Sequence, residues 1–194
     1  MDRQLSEGAH GPIIGLRLSA CPKVLTFGFN GDHYQSEVLA DHKGVRLKMQ
    51  NVDKVEYLDQ NFQIDTGSPH YVSFFDEVES IQVAKEGAKI RYNDVYRDEG
   101  INVNFCSFHD GQLHVRTYER GVEDETYSCG TGVVASAIAY SLKYSLTDGK
   151  RSVPISTLGG KLRVEFYKKG EHFTDIYLQG PAIKVFEGTF EYLA

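Results

Sequence analysis

The chain has 194 residues, with 21 Lys and Arg against 27 Asp and Glu, for a net charge of −6. That length allows one sizeable core or two small ones, and the acidic balance argues against nucleic acid as a partner. No apolar run is long enough for a membrane span, and the polar start Met1-Asp2-Arg3-Gln4-Leu5-Ser6-Glu7 does not read as a signal peptide.

Strand signals dominate in chain order. Residues 24–29 and 34–39 flank Asn30-Gly31-Asp32, a strong hairpin turn. Residues 45–49 alternate apolar and polar side chains, as do 112–118 and 161–167, and 101–108 is a further strand. A weaker strand is expected at 88–92, after a short helical turn within 76–87. One long helix is predicted over 130–146, closed by Thr147-Asp148-Gly149. Its run Val133-Val134-Ala135-Ser136-Ala137-Ile138-Ala139-Tyr140-Ser141-Leu142 is apolar nearly all round, so it should be buried. One buried helix among many strands predicts an α+β fold in which a sheet wraps around the helix. No low-complexity tract or linker interrupts it.

An internal echo bears on domain organisation. Residues 18–39 and 155–178 both read as a strand, a turn and a returning strand, with Gly31-Asp32-His33-Tyr34 matching Gly170-Glu171-His172-Phe173 at the turns. On this reading 18–52 is the tail of a first pseudo-repeat, and 53–182 is a complete second one. The first repeat would lack its own helix.

The helix entrance carries the chemistry. Cys129 stands between a carboxylate-rich turn, Glu123-Asp124-Glu125, and the glycines of Cys129-Gly130-Thr131-Gly132. Two glycines weaken a first helical turn, so stability does not explain them. The free amide groups and the dipole of a helix N-terminus bind anions and are expected to favour thiolate over thiol. A free cysteine is more often a small buried apolar residue, and that reading suits Cys106 beside Phe105. Cys21, Cys106 and Cys129 form no close pairing, which suits reduced thiols and a cytoplasmic location. Glu119-Arg120 reads by itself as a surface ion pair, and Glu123 to Glu125 as a solvated turn. Glu125 and Thr126 are candidates for capping the helix. The histidines show no ligand spacing, so no metal is assigned, and no Gly-Lys-Ser/Thr follows the glycines to make a phosphate-binding loop.

Three pieces of the chain taken together resemble diaminopimelate epimerase. They are Ile64-Asp65-Thr66-Gly67-Ser68-Pro69-His70-Tyr71-Val72, then Gly100-Ile101-Asn102-Val103-Asn104-Phe105, and then Arg116-Thr117-Tyr118-Glu119-Arg120-Gly121 with Glu125-Thr126 and Cys129-Gly130-Thr131-Gly132. The resemblance covers 24–194 and follows the family's second half. It implies two similar lobes, each a curled antiparallel β-structure around a central helix, with the active site between them. It also implies a reaction without cofactors. One cysteine thiolate removes the α-proton of LL-diaminopimelate and a second thiol reprotonates the opposite face, giving the meso form for lysine and cell-wall synthesis.

Carried over by position, the resemblance makes Cys129 the catalytic cysteine of the second lobe. Gly130 and Thr131 would offer amide groups to the reacting α-carboxylate, Arg120 would pair with the distal carboxylate, and Glu119 and Asn102 would serve the distal ammonium end. Ser68 stands where many members have Asn, and His70 would line the cleft. The expected partner is a small amino acid rather than nucleic acid or a membrane. Residues 1–23 match nothing, 24–52 would be a remnant of the first lobe, 53–182 the complete second lobe, and 183–194 a strand returning to the remnant. The first-lobe motif Met-Cys-Gly-Asn-Gly is absent, and Cys21, followed by Pro22, does not replace it. The expectation is therefore a shortened epimerase, weak or inactive alone, that assembles as a homodimer or larger through exposed strand edges. Two other readings stay open: a proline or hydroxyproline racemase, which shares the Cys-Gly-Thr-Gly start, and a binding module that keeps the pocket without the chemistry.

Overall fold

Sheet register and two helical crossovers position every residue of interest. The computed structural model describes residues 24–29, 32–39, 44–183 and 185. Cys21, the tip of the 30–31 turn and nearly all of the expected strand over 183–194 lie outside the described residues. In chain order the strands and helices are β1 (Val24–Phe29), β2 (Asp32–Val38), β3 (Gly44–Lys48), β4 (Val55–Leu58), β5 (Asn61–Asp65), β6 (Pro69–Phe74), α1 (Val83–Arg91), β7 (Asn102–His109), β8 (Gln112–Glu119), β9 (Asp124–Thr126), α2 (Gly130–Lys143), β10 (Gly149–Thr157), β11 (Gly160–Lys169) and β12 (His172–Pro181).

The strands form one sheet in the order β1-β2-β3-β12-β11-β10-β8-β7-β6-β5-β4, with β9 added beside β8. β3 pairs with β12, from Lys48 opposite Tyr177 to Gly44 opposite Pro181, so segments 24–52 and 53–182 share this sheet. The sheet curls around α2, which touches β5, β6, β7, β8, β10, β11 and β12. The α+β class expected above is what the structure has. Two pairings depart from the antiparallel pattern: β6 with β7, and β8 with β10, run parallel. Parallel neighbours cannot be joined by a tight turn, and the helices are the required crossovers. α1 carries the chain from β6 to β7, and α2 carries it from β8 and β9 to β10.

The period of two along each strand separates two cores. Facing inward, Cys106, Leu113, Val115, Val153, Ile155, Val164, Phe166, Phe173 and Ile176 close over Val133, Val134, Ala137 and Ile138 of α2. Facing outward, Val103, Phe105 and Tyr118 meet Val83 of α1, with Val78 and Ile101 completing that cluster. Cys106 is core as expected, with burial pushing its thiol up to about 12.

α2 is buried on nearly every side, as its composition requires. Its hydroxyls are satisfied locally: Ser136 Oγ donates to Gly132 O at 2.7 Å and Ser141 Oγ to Ile138 O at 2.8 Å. The helix ends at Lys143 rather than 146. Ser145 turns left-handed (φ 50°), with Ser145 N–H bonded to Leu142 O and Leu146 N–H to Ser141 O, a Schellman closure. The helical turn expected within 76–87 is present as the start of α1, while the strand expected at 88–92 is corrected to the remainder of that helix. Val83, Gly87 and Ile90 recur at helical spacing and face the outer core, so the alternation of Ala88-Lys89-Ile90 is incidental. Strands β4, β5, β6 and β9 were not foreseen, and β10 only from Ile155 and run together with β11, because turn-forming residues flank or interrupt them. β6 begins at Pro69, a first-strand position where a missing N–H costs nothing.

Candidate active site

Cys129 is the N-cap of α2. Its backbone is extended (φ −113°, ψ 113°), and its carbonyl accepts the first helical bond from Val133 N–H at 2.9 Å. The amide groups of Gly130, Thr131 and Gly132 therefore lie in the first turn, where helix geometry leaves donors without helical partners. Thr131 Oγ1 lies 3.4 Å from Cys129 Sγ.

Behind that hydroxyl runs a chain of hydrogen bonds into the sheet wall. Thr131 Oγ1 is 2.9 Å from His70 Nε2, and His70 Nδ1 is 3.0 Å from Asn104 Nδ2. Thr117 Oγ1 donates to Asn104 Oδ1 at 2.9 Å. An amide nitrogen can only donate, so His70 Nδ1 accepts and Nε2 carries the proton. That leaves the Thr131 hydroxyl proton free to point at sulfur. The register places Asn104 opposite Thr117 and His70 beside Asn102, so strands β6, β7 and β8 fix the chain. Thr66 Oγ1 adds a bond to Thr131 O at 2.9 Å. Gly132 makes the close approach possible, since a Cβ there would collide with Asn104 Oδ1.

His70 is fully buried (0 % exposed). It stands behind Thr131 rather than lining the cleft. Burial, with a smaller effect from the Arg120 charge, pulls its pKa down to about 3, so its ring is neutral. Burial pushes the Cys129 thiol up. The Thr131 hydroxyl and the amides of Gly132 and Thr131 pull down and the Glu119 charge pushes up, but burial prevails. The expected preference for thiolate is thus reversed in this state, because Cys129 is only 8 % exposed and the helix terminus does not outweigh the desolvation of its thiol.

The rim is built on Asn102, which is 3 % exposed. Its Nδ2 donates to Ser68 Oγ at 2.8 Å and to Pro69 O at 3.0 Å, and its Oδ1 accepts from Arg120 N–H at 2.9 Å. Both amide hydrogens are committed, so Asn102 braces Ser68 and Arg120. The Arg120 guanidinium donates to Glu99 O at 3.0 Å and to Ser68 Oγ at 3.3 Å. It passes over Gly100 (φ +77°), where a Cβ would stand 2.7 Å from Arg120 Cδ. Glu119 Oε2 accepts from Thr126 Oγ1 at 2.9 Å, and among the described residues Glu119 and Arg120 form no ion pair with each other, contrary to the surface pair expected from the sequence.

Two expectations for the turn are corrected. Glu125 and Thr126 do not cap α2, whose N-cap has no side-chain bond. Glu125 instead grips Arg116 with two contacts of 2.7 Å. Glu123 is not merely solvated: it accepts from Tyr92 Oη at 3.0 Å, Tyr118 Oη at 3.1 Å and Arg91 Nε at 3.3 Å. Sequence reasoning gave no role to Thr66, Asn104 or Thr117. Asn104 and Thr117 are buried polar side chains inside strands and Thr66 is one just past the end of β5, and a buried polar group asks for a partner.

The arrangement suits a proton transfer at carbon. A thiol at a ring of amide donors can exchange a proton with a carbon acid, and the same donors stabilise negative charge on an adjacent carboxylate.

Comparison with known proteins gives the same direction. A family model described as Diaminopimelate epimerase matches residues 62–185. A diaminopimelate epimerase of Flavobacterium psychrophilum is 47% identical over 146 residues, covering 75% of this chain and 56% of that protein. One of Hydrogenobaculum sp. is 35% identical over 184 residues, covering 88% of this chain and 64% of that protein. Among solved structures, a Bacillus anthracis phenazine biosynthesis protein of the PhzF family aligns with a TM-score of 0.61 at 10% identity, covering 83% of this chain and 66% of that one, which is likeness of fold alone. The chain spans about half the length of the curated relatives it matches.

Proposed function

The chain belongs to the diaminopimelate epimerase family, and from that membership we propose that it carries one of the two thiol sites of a cofactor-independent epimerase interconverting LL- and meso-diaminopimelate. The observation that carries this reading is the Cys129 sulfur at the α2 entrance, contacted by Thr131 Oγ1 with His70 behind it. Burial holds the proton on Cys129 in the free chain, so its first act is as an acid. As a second group on the opposite face takes the original α-proton and its C–H bond breaks, the Cys129 S–H bond breaks, that proton joins the α-carbon from the other face, and the sulfur is left as thiolate. In the reverse direction that thiolate removes the same proton. The amides of Gly130 and Thr131 would receive the α-carboxylate, whose charge grows as the α-carbon loses its proton. Arg120 would pair with the distal carboxylate and Glu119 would face the distal ammonium. Ser68 and Asn102 would hold Arg120 in place, with Asn102 acting through the rim and not on the substrate.

Inversion needs a second group on the opposite face. Among the described residues no other thiol serves, since Cys106 is in the core. The second group therefore comes from outside them. In this reading 24–52 belongs with a first lobe, 53–182 is the second, and 183–194 returns to the first. The protein would work in the cytoplasm. Self-association would use the ends of the sheet at β1 and β4, where Val24 and Tyr57 are half exposed.

The test is hydrogen exchange and inversion of LL-diaminopimelate in D2O by the full chain, with ligand binding followed by NMR. Binding lost in Arg120→Ala, and any α-exchange lost in Cys129→Ala, are expected. Exchange that survives loss of Cys129 would overturn the assignment, as would binding indifferent to Arg120.

A further inference from the structure

A second cluster of chemically competent side chains lies at the other end of β7 and β8. β7 runs from Asn102 at the rim to His109, seven residues or roughly 23 Å away at strand rise. There the turn Asp110-Gly111, with φ of 51° and 70°, closes a hairpin of the I′ type. His109 pairs with Gln112, and His114 with Ser107, so the two histidines are diagonal neighbours on the outer face. Their rings stack at 3.8 Å and 15°. Glu79, from the segment before α1, faces both: its Oε1 is 3.5 Å from His109 Nε2 and 3.7 Å from His114 Nδ1.

We propose that Glu79, His109 and His114 form a binding site for a divalent transition ion of the zinc class. One ligand atom from each residue lies within 4.8 Å of the others. At metal–ligand bonds near 2.0–2.1 Å a tetrahedral ion holds neighbouring ligand atoms about 3.3 Å apart, and the two carboxylate-to-imidazole separations of 3.5 and 3.7 Å lie near that value. Two imidazoles and one carboxylate select zinc, copper, nickel or cobalt over calcium or magnesium, which prefer oxygen ligands. They leave a fourth position for water or substrate.

Two further features favour this over a plain surface pair. The Nε2 atom of His109, the one that faces Glu79, is shielded from solvent and makes no hydrogen bond, a state that burial makes costly and a cation would relieve. Glu79 is also held in place from behind. Arg116 Nη1 donates to the carbonyls of Val78, Glu79 and Ile81 at 2.9, 3.1 and 2.9 Å, and Glu125 fixes that guanidinium. Asp76, Glu77, Glu79 and His109 line a cavity of about 350 Å³ beside the cluster, so the approach is acidic. The site is empty.

The experiment is calorimetric titration of the chelator-treated full chain with Zn2+, together with Co2+ absorption and thermal melting. One ion per chain is expected. His114→Gln and Glu79→Gln should each weaken binding at least tenfold, and the double variant His109→Gln/His114→Gln should abolish it while keeping the wild-type circular dichroism. Zn2+ should raise the Tm of the wild type and not of the double variant. The Co2+ bands should lack thiolate charge transfer and persist in Cys129→Ala. No saturable binding, unchanged binding in the double variant, or binding that disappears with Cys129 would each overturn the proposal.

Discussion

Asn104 Nδ2 lies 3.0 Å from His70 Nδ1 inside the sheet wall, and this contact decides which ring nitrogen carries the proton. With Nδ1 accepting, Nε2–H faces Thr131 and the hydroxyl of Thr131 faces sulfur. The ring must stay neutral for this order of donors, and burial holds its pKa near 3. In NMR titration its resonances should not move between pH 8 and 5.

The same depression has a stability consequence. The unfolded histidine titrates near 6.5 and the folded one near 3, so the unfolded state binds the extra proton between those values. The stabilisation is complete above pH 6.5 and is lost as pH falls toward 3. From pH 7 to pH 5 the chain should lose about 2 kcal/mol of unfolding free energy from this group. Urea melts at the two pH values measure it, and His70→Asn should flatten the difference.

Cys129 alkylation by iodoacetamide should reach its midpoint above the ordinary thiol range, because burial outweighs the helix terminus. Glu119→Gln should lower that midpoint by removing a nearby negative charge. Thr131→Ala should raise it by removing the hydroxyl that faces sulfur. A midpoint in wild type below that of a free peptide thiol would contradict the buried geometry.

Gly132→Ala separates helix propensity from packing. In an exposed helix this change stabilises by up to ~1 kcal/mol. Here the new methyl meets Asn104 Oδ1 and presses on the His70 ring at 3.2 Å, so the sign should reverse. A net loss of about 1–3 kcal/mol is expected from overpacking. The readout is Tm, accompanied by a shift in the Cys129 alkylation midpoint as the hydrogen-bond chain breaks.

Arg116 joins three parts of the molecule through Glu125 and the carbonyls of the 78–81 segment. Arg116→Lys keeps the charge but not the planar fork. It should still cost about 2 kcal/mol, the scale of a charged hydrogen-bond pair. A double-mutant cycle with Glu125→Gln should show strong coupling between the two.

The buried helix was legible because its apolar residues run all round it, and Cys129 because glycines at a helix entrance have no structural excuse. The strand register was not legible. Asn104, Thr117, His70 and Thr131 are far apart in sequence and meet only because β6, β7 and β8 lie side by side. α1 was misread at 88–92 because five residues of alternation imitate a strand, while its helical face needs Val83 to be seen. Asn102 was given to the ligand by carry-over from the resemblance, whereas in the fold its amide hydrogens are spent on Ser68 and Pro69. Glu79 stands thirty residues before His109, and only a hairpin and an arginine fork bring them together.

α2 is wedged against seven strands and spliced at both ends into neighbouring strands of the same sheet. A rod so enclosed cannot roll or slide without tearing voids in tightly filled matter. The Cys129 sulfur is thus a stationary anvil. Whatever opening and shutting admits a ligand must be done by the surface that comes to face it, and the speed of that motion would be set away from the thiol.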